Sequence, residues 1–365
     1  MIPLFGGALI ALIISVILTP IVAALAVKFG FVDDPRVHKH PAILHSRIIP
    51  RAGGLPVFIA VAAAAFLVLP VSKELIGIFL GGLILVAVGL YDDRRDLRNS
   101  YKLILQLAAA IVVVASGVGI NFITNPLTII SPGGLGLGSV IHLDALRFAF
   151  NLMGTHSIVI LADLAAIFWI VWVINMVNFS TGVDGQMPGV VFITLIVIFA
   201  ATLRFSRIDP SQVIVIQLAL IGAGAILGFL IYNFFPAKIF PGDSGSYFMG
   251  FLVAVLAILA GVRVGTAMLV MAVPLVDGVF TVMRRIASHR SPFRGDRKHL
   301  HHRLLELGWG QRRIALFYWL LCAILGSIAL LLHSFEKLFA AVVVAIIILG
   351  GLIWLNMTLQ PRDRD

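Results

Sequence analysis

The chain has 365 residues, of which 60% are hydrophobic and only 12% charged, and its mean hydropathy is +1.07. A soluble globular domain carries about 25% charged residues, so this composition excludes an ordinary water-soluble fold and points to a polytopic membrane protein. The formal charge is +10 and Cys322 is the single cysteine, which excludes an intrachain disulfide and leaves a basic excess to be explained.

A membrane span needs about 20 mostly apolar residues. By that measure the sequence predicts one all-α integral membrane domain over 1–365, with about eleven transmembrane helices. They centre near Ile14, Ala62, Leu83, Val112, Phe168, Ile196, Ile221, Val255, Val273, Leu325 and Ile346. Runs so long and continuously apolar are helical, because barrel strands are shorter and alternate. The first, Ile2 to Val27, lacks a basic leader and a small-residue cleavage site and reads as a retained span. Boundaries are least sharp at Gly81–Leu90 and Gly265–Val276. Residues 120–157 are the longest segment between spans. Their stretch NPLTIISPGGLGLGSVIHL mixes Pro and Gly with β-prone residues and predicts a small external β-hairpin.

Loop charge sets the orientation. Segments 28–54, 91–102, 175–188, 233–246, 284–315 and the C-terminus hold 21 of the 27 Lys and Arg residues. The other six are Lys73, Arg147, Arg204, Arg207, Arg263 and Lys337. The positive-inside rule then makes the first set cytoplasmic, with the N-terminus outside and the C-terminus in the cytoplasm. This asymmetry accounts for most of the basic excess, so no nucleic-acid partner is expected. Membrane lipid headgroups are expected partners for some of these side chains.

The polar residues gather on five of those cytoplasmic segments, which predicts one active site at the cytoplasmic face. Asp92 and Asp93 close a span ahead of Arg94 and Arg95. They read either as a solvated helix end or as a carboxylate pair suited to hydrated Mg²⁺, which takes one or two carboxylates plus phosphate oxygens. Asn175 and Asn178 share a helix face and run into Gly182, Asp184 and Gly185. Interhelical hydrogen bonding competes there with ligand contact. In HLHH, His299, His301 and His302 suggest zinc, but no Cys accompanies them. The basic flank of Arg294, Arg297, Lys298 and Arg303 suits phosphate better. Leu300, Leu304 and Leu307 form a stripe that predicts a helix lying on the membrane surface. Asp243, between Gly242 and Ser244-Gly245 at a span boundary, is costly unless paired or metal-bound.

Together these segments resemble the polyprenyl-phosphate N-acetylhexosamine-1-phosphate transferases, and most nearly the bacterial undecaprenyl-phosphate GlcNAc-1-phosphate branch. The resemblance runs from His45 to about Leu307. IIPRAGG resembles the family's PxPRxGG, and GLYDDRRDL with KLILQLAAA its GxxDDxxDL…K…Q segment. NMVNFSTGVDG resembles NxxNxxDGxDG, IFPGDSGSYFMG resembles FMGDxGSxxxG, and SPFRGDRKHLHHRLL the histidine motif of the GlcNAc branch. Thr181 stands where bacterial members have the first Asp of DGxDG, and Pro241 where Met is usual.

The resemblance implies transfer of GlcNAc-1-phosphate, or a related N-acetylhexosamine-1-phosphate, from a UDP-sugar to undecaprenyl phosphate with release of UMP, in the bacterial inner membrane. It implies Mg²⁺ as cofactor, with Mn²⁺ as a substitute, bound by Asp243 with Asn178 as second ligand. Asp92 and Asp93 would lie beside the metal and phosphates. Phe240 would stack on uracil, with Asn233, Asn175 and Asp184 near the nucleotide. His299, His301, His302 and Arg303 would hold the diphosphate or sugar, and Arg47 and Arg51 would contact phosphate. Homodimers are common in such families, but no dimer face is legible. A transporter of a nucleotide-sugar or other anion is the competing expectation, with Asp163 and Asp277 as its ionisable groups.

Overall fold

The computed structural model describes residues 4–36, 45–120, 122–125, 140–143, 146–151, 155–204, 212–261, 264–289, 291 and 299–358. Arg294, Arg297 and Lys298 lie outside these residues, as does much of the 120–157 segment.

The chain is a helical bundle. Helices α1 (Gly6–Phe29), α2 (Gly54–Val68), α3 (Lys73–Arg95) and α4 (Asn99–Ala115) precede two strand pairs. Helices α5 (Ile160–Phe179), α6 (Gln186–Leu203), α7 (Gln212–Asn233) and α8 (Gly242–Leu259) follow. Then come α9 (Val264–Val270), α10 (Ala272–Ala287), α11 (Leu300–Glu306), α12 (Gln311–Leu331) and α13 (Ser334–Thr358). Every one of the eleven predicted centres falls on a helix. Eight helices are long and apolar enough to cross a membrane, among the described residues. Of the other three centres, Ala62 and Val112 lie on the shorter apolar helices α2 and α4. Val273 lies on a pair, α9 and α10, bent by 81°. The bend falls at Met271, inside the stretch whose boundary the sequence left least sharp.

Local chemistry explains several helix ends. Ser72 caps α3 by accepting from the Leu75 N–H at 3.2 Å, Glu74 sits in its first turn, and Arg94 and Arg95 occupy its last. Those charges oppose the helix dipole at each end. Asp163 accepts the Val159 N–H at 3.0 Å at the start of α5.

Short antiparallel strands complete the description. β1 (Val32–Asp33) pairs with β2 (Ile49–Pro50). β3 (Phe122–Thr124) pairs with β4 (Val140–His142), and β5 (Arg147–Asn151) with β6 (Thr155–Val159). The 120–157 segment thus contributes antiparallel strand pairs among the described residues, while most of the stretch on which the hairpin was expected, NPLTIISPGGLGLGSVIHL, lies outside them.

Helix α8 is the bundle's axis, packed against α2, α3, α5, α6, α7 and α9. From Ser244 to Ile258 every one of its residues is buried. Two glycines let its first turn come that close. A Cβ on Gly54 would stand 2.2 Å from the Ser244 carbonyl carbon, and one on Gly89 would stand 2.2 Å from the Ser244 nitrogen. Such small-residue contacts are how helix backbones approach in membranes.

Candidate active site

The C-terminal ends of α3, α5 and α7 and the N-terminal ends of α4, α6 and α8 meet at one end of the bundle. Each of the first three helices runs towards this end and its successor runs away, so the short turns between them share one face. Asp92, Lys102, Asn178, Asp184, Asn233 and Asp243 all lie there.

At the centre, Lys102 donates to Oδ2 of Asp92 at 2.6 Å and to Oδ2 of Asp243 at 3.1 Å. Its ammonium joins carboxylates 151 positions apart in sequence. Asp92 also accepts the Leu97 N–H at 2.7 Å, and Asp243 accepts the Tyr247 hydroxyl at 2.8 Å. Lys102 answers the cost of two buried carboxylates side by side.

Asp93 has a different task. It accepts the Asp243 N–H at 2.9 Å, the Ser244 N–H at 3.4 Å and the Ser244 hydroxyl at 3.0 Å. The α3 carboxylate thus caps α8, satisfying donors that the helix cannot satisfy itself. Arg51 approaches the same carboxylate at 3.5 Å. Gly242 makes the contact feasible: its φ is +65°, and an added Cβ would sit 2.3 Å from Asp93 Oδ2. Asp93 lies beside the centre as the sequence implied, but its lone pairs go to α8.

The loops carrying Arg51 and Asp243 form one unit. Phe240 donates its N–H to the Pro50 carbonyl at 2.8 Å, and Gly53 donates to the Phe240 carbonyl at 3.1 Å. Burial works against the Arg51 charge, yet Asp93, Asp243, Asp33 and Asp92 together hold its pKa above the ordinary arginine value.

Beside this centre opens a cleft of about 380 Å³, lined among others by Arg51, Thr181, Asp184, Asn233, Phe240 and Asp243. Its walls are tied by side chains the sequence singled out. Arg47 donates to the Ala237 carbonyl at 2.6 Å, and Asp184 accepts the Ala237 N–H at 2.9 Å. Asn233 accepts from the Gly185 N–H at 3.0 Å and donates to the Ile239 carbonyl at 2.9 Å. Burial pushes the Asp184 pKa up, against the opposing pull of the Ala237 N–H, His45 and Arg47. The Phe240 ring meets His45 edge-on at 5.2 Å, and His45 lies 3.4 Å from Asp33.

Both asparagines make the interhelical bonds that competed with ligand contact. Asn175 donates to Gln106 of α4 at 2.7 Å, and Asn178 accepts from Ser246 of α8 at 2.8 Å. Ser246 sits 3.3 Å from the Asp243 carbonyl oxygen, which sets Asn178 next to the α8 turn.

The histidines are turned inward. His299, His301, His302 and Arg303 are all buried; of the predicted membrane-facing stripe, Leu304 is buried too and Leu300 packs against the core, while Leu307 is 47% exposed. Helix α11 therefore packs its polar face into the bundle. Asp277 holds it there: Oδ2 lies 2.9 Å from His299 Nδ1 and Oδ1 accepts the Leu300 N–H at 2.9 Å. The rings of His299 and His301 stack at 5.5 Å, and His302 lies 4.2 Å from His301. Arg303 donates to Glu306 at 2.7 Å. His301 leans on the cleft loop, since a Cβ on Gly182 would stand 2.0 Å from its Nε2.

Three participants were not assigned by sequence. Lys102 and Tyr247 lie inside the quoted motifs KLILQLAAA and IFPGDSGSYFMG, and a lone cation one turn into an apolar helix was the available signal. Asp277 was read only as a transporter group.

The match to the model for glycosyl transferase family 4 covers residues 75–261, about half of the chain. A probable undecaprenyl-phosphate N-acetylglucosaminyl 1-phosphate transferase of Bacillus subtilis is 31% identical over 89% of this chain and 84% of its own. The decaprenyl-phosphate N-acetylglucosaminephosphotransferase of Mycobacterium leprae is 32% identical over 97% and 90%. The undecaprenyl-phosphate alpha-N-acetylglucosaminyl 1-phosphate transferase of Thermotoga maritima is 28% identical over 80% and 78%. The chain belongs to this family, the polyprenyl-phosphate N-acetylhexosamine-1-phosphate transferases. The family segment holds Asp92, Lys102, Asn178, Asp184 and Asp243. Arg51, Asp277 and the histidines come from outside it and fold back onto it.

The metal expected of the family can be tested against the donors. Asp92 and Asp243 each aim one oxygen at a single cation, the Lys102 ammonium. Three carboxylates here face two cations, Lys102 and Arg51, so negative charge is in excess. No group of three or more His, Cys, Asp or Glu residues suited to a metal occurs among the described residues. That donor set fits Mg²⁺, which takes one or two carboxylates and fills its shell with water and phosphate oxygens; it does not fit a closed protein cage.

Breaking the α11 anchor tests its importance. Asp277→Asn keeps the size but weakens the charge-assisted bond to His299. We expect transferase turnover to fall by about tenfold to a hundredfold, as for other lost orienting partners, with the thermal midpoint of the purified protein shifted by only a few degrees. Unchanged turnover would show that the histidine helix needs no such anchor.

Proposed function

We propose that the protein transfers N-acetylhexosamine-1-phosphate, with GlcNAc-1-phosphate as the leading donor group, from a UDP-sugar to undecaprenyl phosphate and releases UMP. This is the first membrane step of a cell-envelope glycan, at the cytoplasmic face of the bacterial inner membrane. Eleven crossings, counting α2, α4 and the bent α9–α10 pair, set the termini on opposite sides, and the Lys and Arg excess of the segments on the site's side supports an N-terminus outside and a C-terminus in the cytoplasm. The observation that carries the reading is the Lys102 ammonium shared by Asp92 and Asp243 beside a cleft rimmed by Arg51 and Phe240. The activities named for the relatives support it.

The acceptor, a phosphate monoester, has a second pKa of about 6 and is mostly dianionic near pH 7. It needs charge neutralisation and in-line placement more than a base. Arg51 and Lys102 supply fixed positive charge at the cleft edge. Phe240 offers a face for a base, and Asp184 and Asn233 hold the wall against which a nucleotide packs. Mg²⁺ held by Asp92 and Asp243, with Asn178 alongside, would neutralise diphosphate oxygens. Asp92 accepts hydrogen bonds from Leu97 and Lys102, which hold it in place beside Asp243 and support a positioning role, with direct displacement by the acceptor phosphate.

The site's face suits both substrates: a UDP-sugar arrives from water, while a polyprenyl tail stays in the bilayer. The transport reading loses its footing, because Asp163 caps α5 and Asp277 anchors α11.

Purified protein in undecaprenyl-phosphate micelles should release UMP from a panel of UDP-N-acetylhexosamines, fastest with UDP-GlcNAc. Chelating divalent ions should stop release, and Mg²⁺ or Mn²⁺ should restore it. Counterflow of intact UDP-GlcNAc across vesicles without UMP would overturn the reading.

A further inference from the structure

Behind the cleft wall lies a polar group that the proposed chemistry does not use. Gln186 opens α6 directly after the cleft loop, and Tyr318 comes from α12. Gln186 is 0% exposed, Tyr318 1% and His301 2%. Both amide atoms of Gln186, the Tyr318 hydroxyl and His301 Nδ1 are buried and make no hydrogen bond of good geometry within the protein. The Tyr318 hydroxyl lies close to the Gln186 amide and to the His301 backbone, but the approach is too poorly aligned to satisfy either side chain.

A buried polar atom left unsatisfied is costly, so four together call for a shared partner. Buried water is the usual one, making about three hydrogen bonds to otherwise unsatisfied groups. Nothing here asks for a metal: one imidazole nitrogen, an amide and a phenol are a poor ligand set, while water both donates and accepts.

We propose that Gln186, Tyr318 and His301 Nδ1 enclose a buried water site, and that through it Gln186 and Tyr318 act as positioning residues for His301. The site fixes one edge of the ring, so the opposite edge, Nε2, is pressed against Gly182 of the cleft loop. Burial, with His302 and His299 beside it, keeps the His301 pKa well below the ordinary histidine value, so the ring is neutral and its orientation rests on hydrogen bonds. Helix α12 reinforces the same loop: Trp319 donates to the Gly185 carbonyl at 3.2 Å, and Gln311 accepts the Asp184 N–H at 3.4 Å. A helix outside the matched family segment thus reaches the cleft through a hydrated relay. The role given to His301 rests on the transferase reading; the water site does not.

Two measurements test this. UMP release is compared for the wild type, Tyr318→Phe, His301→Gln and the double variant. Tyr318→Phe should lower kcat about tenfold, with KM for the UDP-sugar unchanged. In the His301→Gln background the same change should cost less than about twofold, because the residue it positions is gone. Equal losses in both backgrounds, or no loss in the wild type, overturn the positioning role. The second measurement needs no turnover: an experimental structure at a resolution that shows ordered water should place water within hydrogen-bond distance of Gln186, Tyr318 and His301 Nδ1. A dry trio overturns the site. A wild type that shows the water but releases no UMP overturns the transferase reading alone.

Discussion

Asp243→Asn should lower UMP release about a hundredfold to a thousandfold. Removing one preorganised electrostatic partner at a reacting centre costs about that much in kcat. The change removes charge from the oxygen that accepts from both Lys102 and Tyr247. It leaves Lys102 with Asp92 alone and weakens the carboxylate pair expected to hold Mg²⁺. The cleft walls stay intact, because Asp184, Asn233 and Phe240 are tied to Ala237, Ile239 and Pro50 and not to Asp243. UMP affinity measured without divalent ions should therefore change by less than about tenfold, a difference of under 1.4 kcal/mol. A variant that binds UMP normally but does not turn over separates chemistry from nucleotide recognition. A variant that keeps its rate removes Asp243 from the reaction.

The second large effect is steric. Gly89→Ala puts a methyl group 2.2 Å from the Ser244 nitrogen and 2.3 Å from its Cα, both backbone atoms of a buried helix. No rotamer relieves that contact, so α8 must move away from α3. The move pulls the Asp243 and Ser244 N–H groups off Asp93 and carries Asp243 away from Lys102. A displacement of about an ångström at a reacting centre costs about a hundredfold in rate, and overpacking costs about 1–3 kcal/mol of stability. We expect both, read as UMP release and as the thermal midpoint. Gly350→Ala, whose added Cβ meets nothing within 4 Å, is the matched control and should change neither. Wild-type behaviour of Gly89→Ala would mean that the α3–α8 contact does not position the site.

These two residues also mark what could be read in advance. The bundle was legible because burial in lipid leaves its mark on every residue of a span, and the predicted centres reach even the short helices α2 and α4. The bend at Met271 was not, since apolar composition is the same on both sides of a break. The motif residues were legible as a set, and the structure gathers Asp92, Asp93, Asp243, Asn178 and Arg51 at one end of the bundle. Their division of labour was not. Asp92 and Asp93 are adjacent in sequence, but successive helical residues face different neighbours, so one meets Lys102 and the other caps α8. The histidine helix shows the limit most clearly. Its leucine spacing suggests a membrane-surface stripe, yet Asp277, 22 positions before His299, turns its polar face inward. A pairing across that distance has no periodicity to betray it.

In the proposed reaction, phosphorus moves with the sugar at the Asp92–Lys102–Asp243 centre. UDP-GlcNAc labelled at the β-phosphorus, incubated with undecaprenyl phosphate and the purified protein, tests it most directly. The label should appear in the organic-extractable lipid with unlabelled UMP in the aqueous phase, and Asp243→Asn should abolish both. Label retained in the nucleotide or released as free phosphate, with sugar on the lipid, would contradict it.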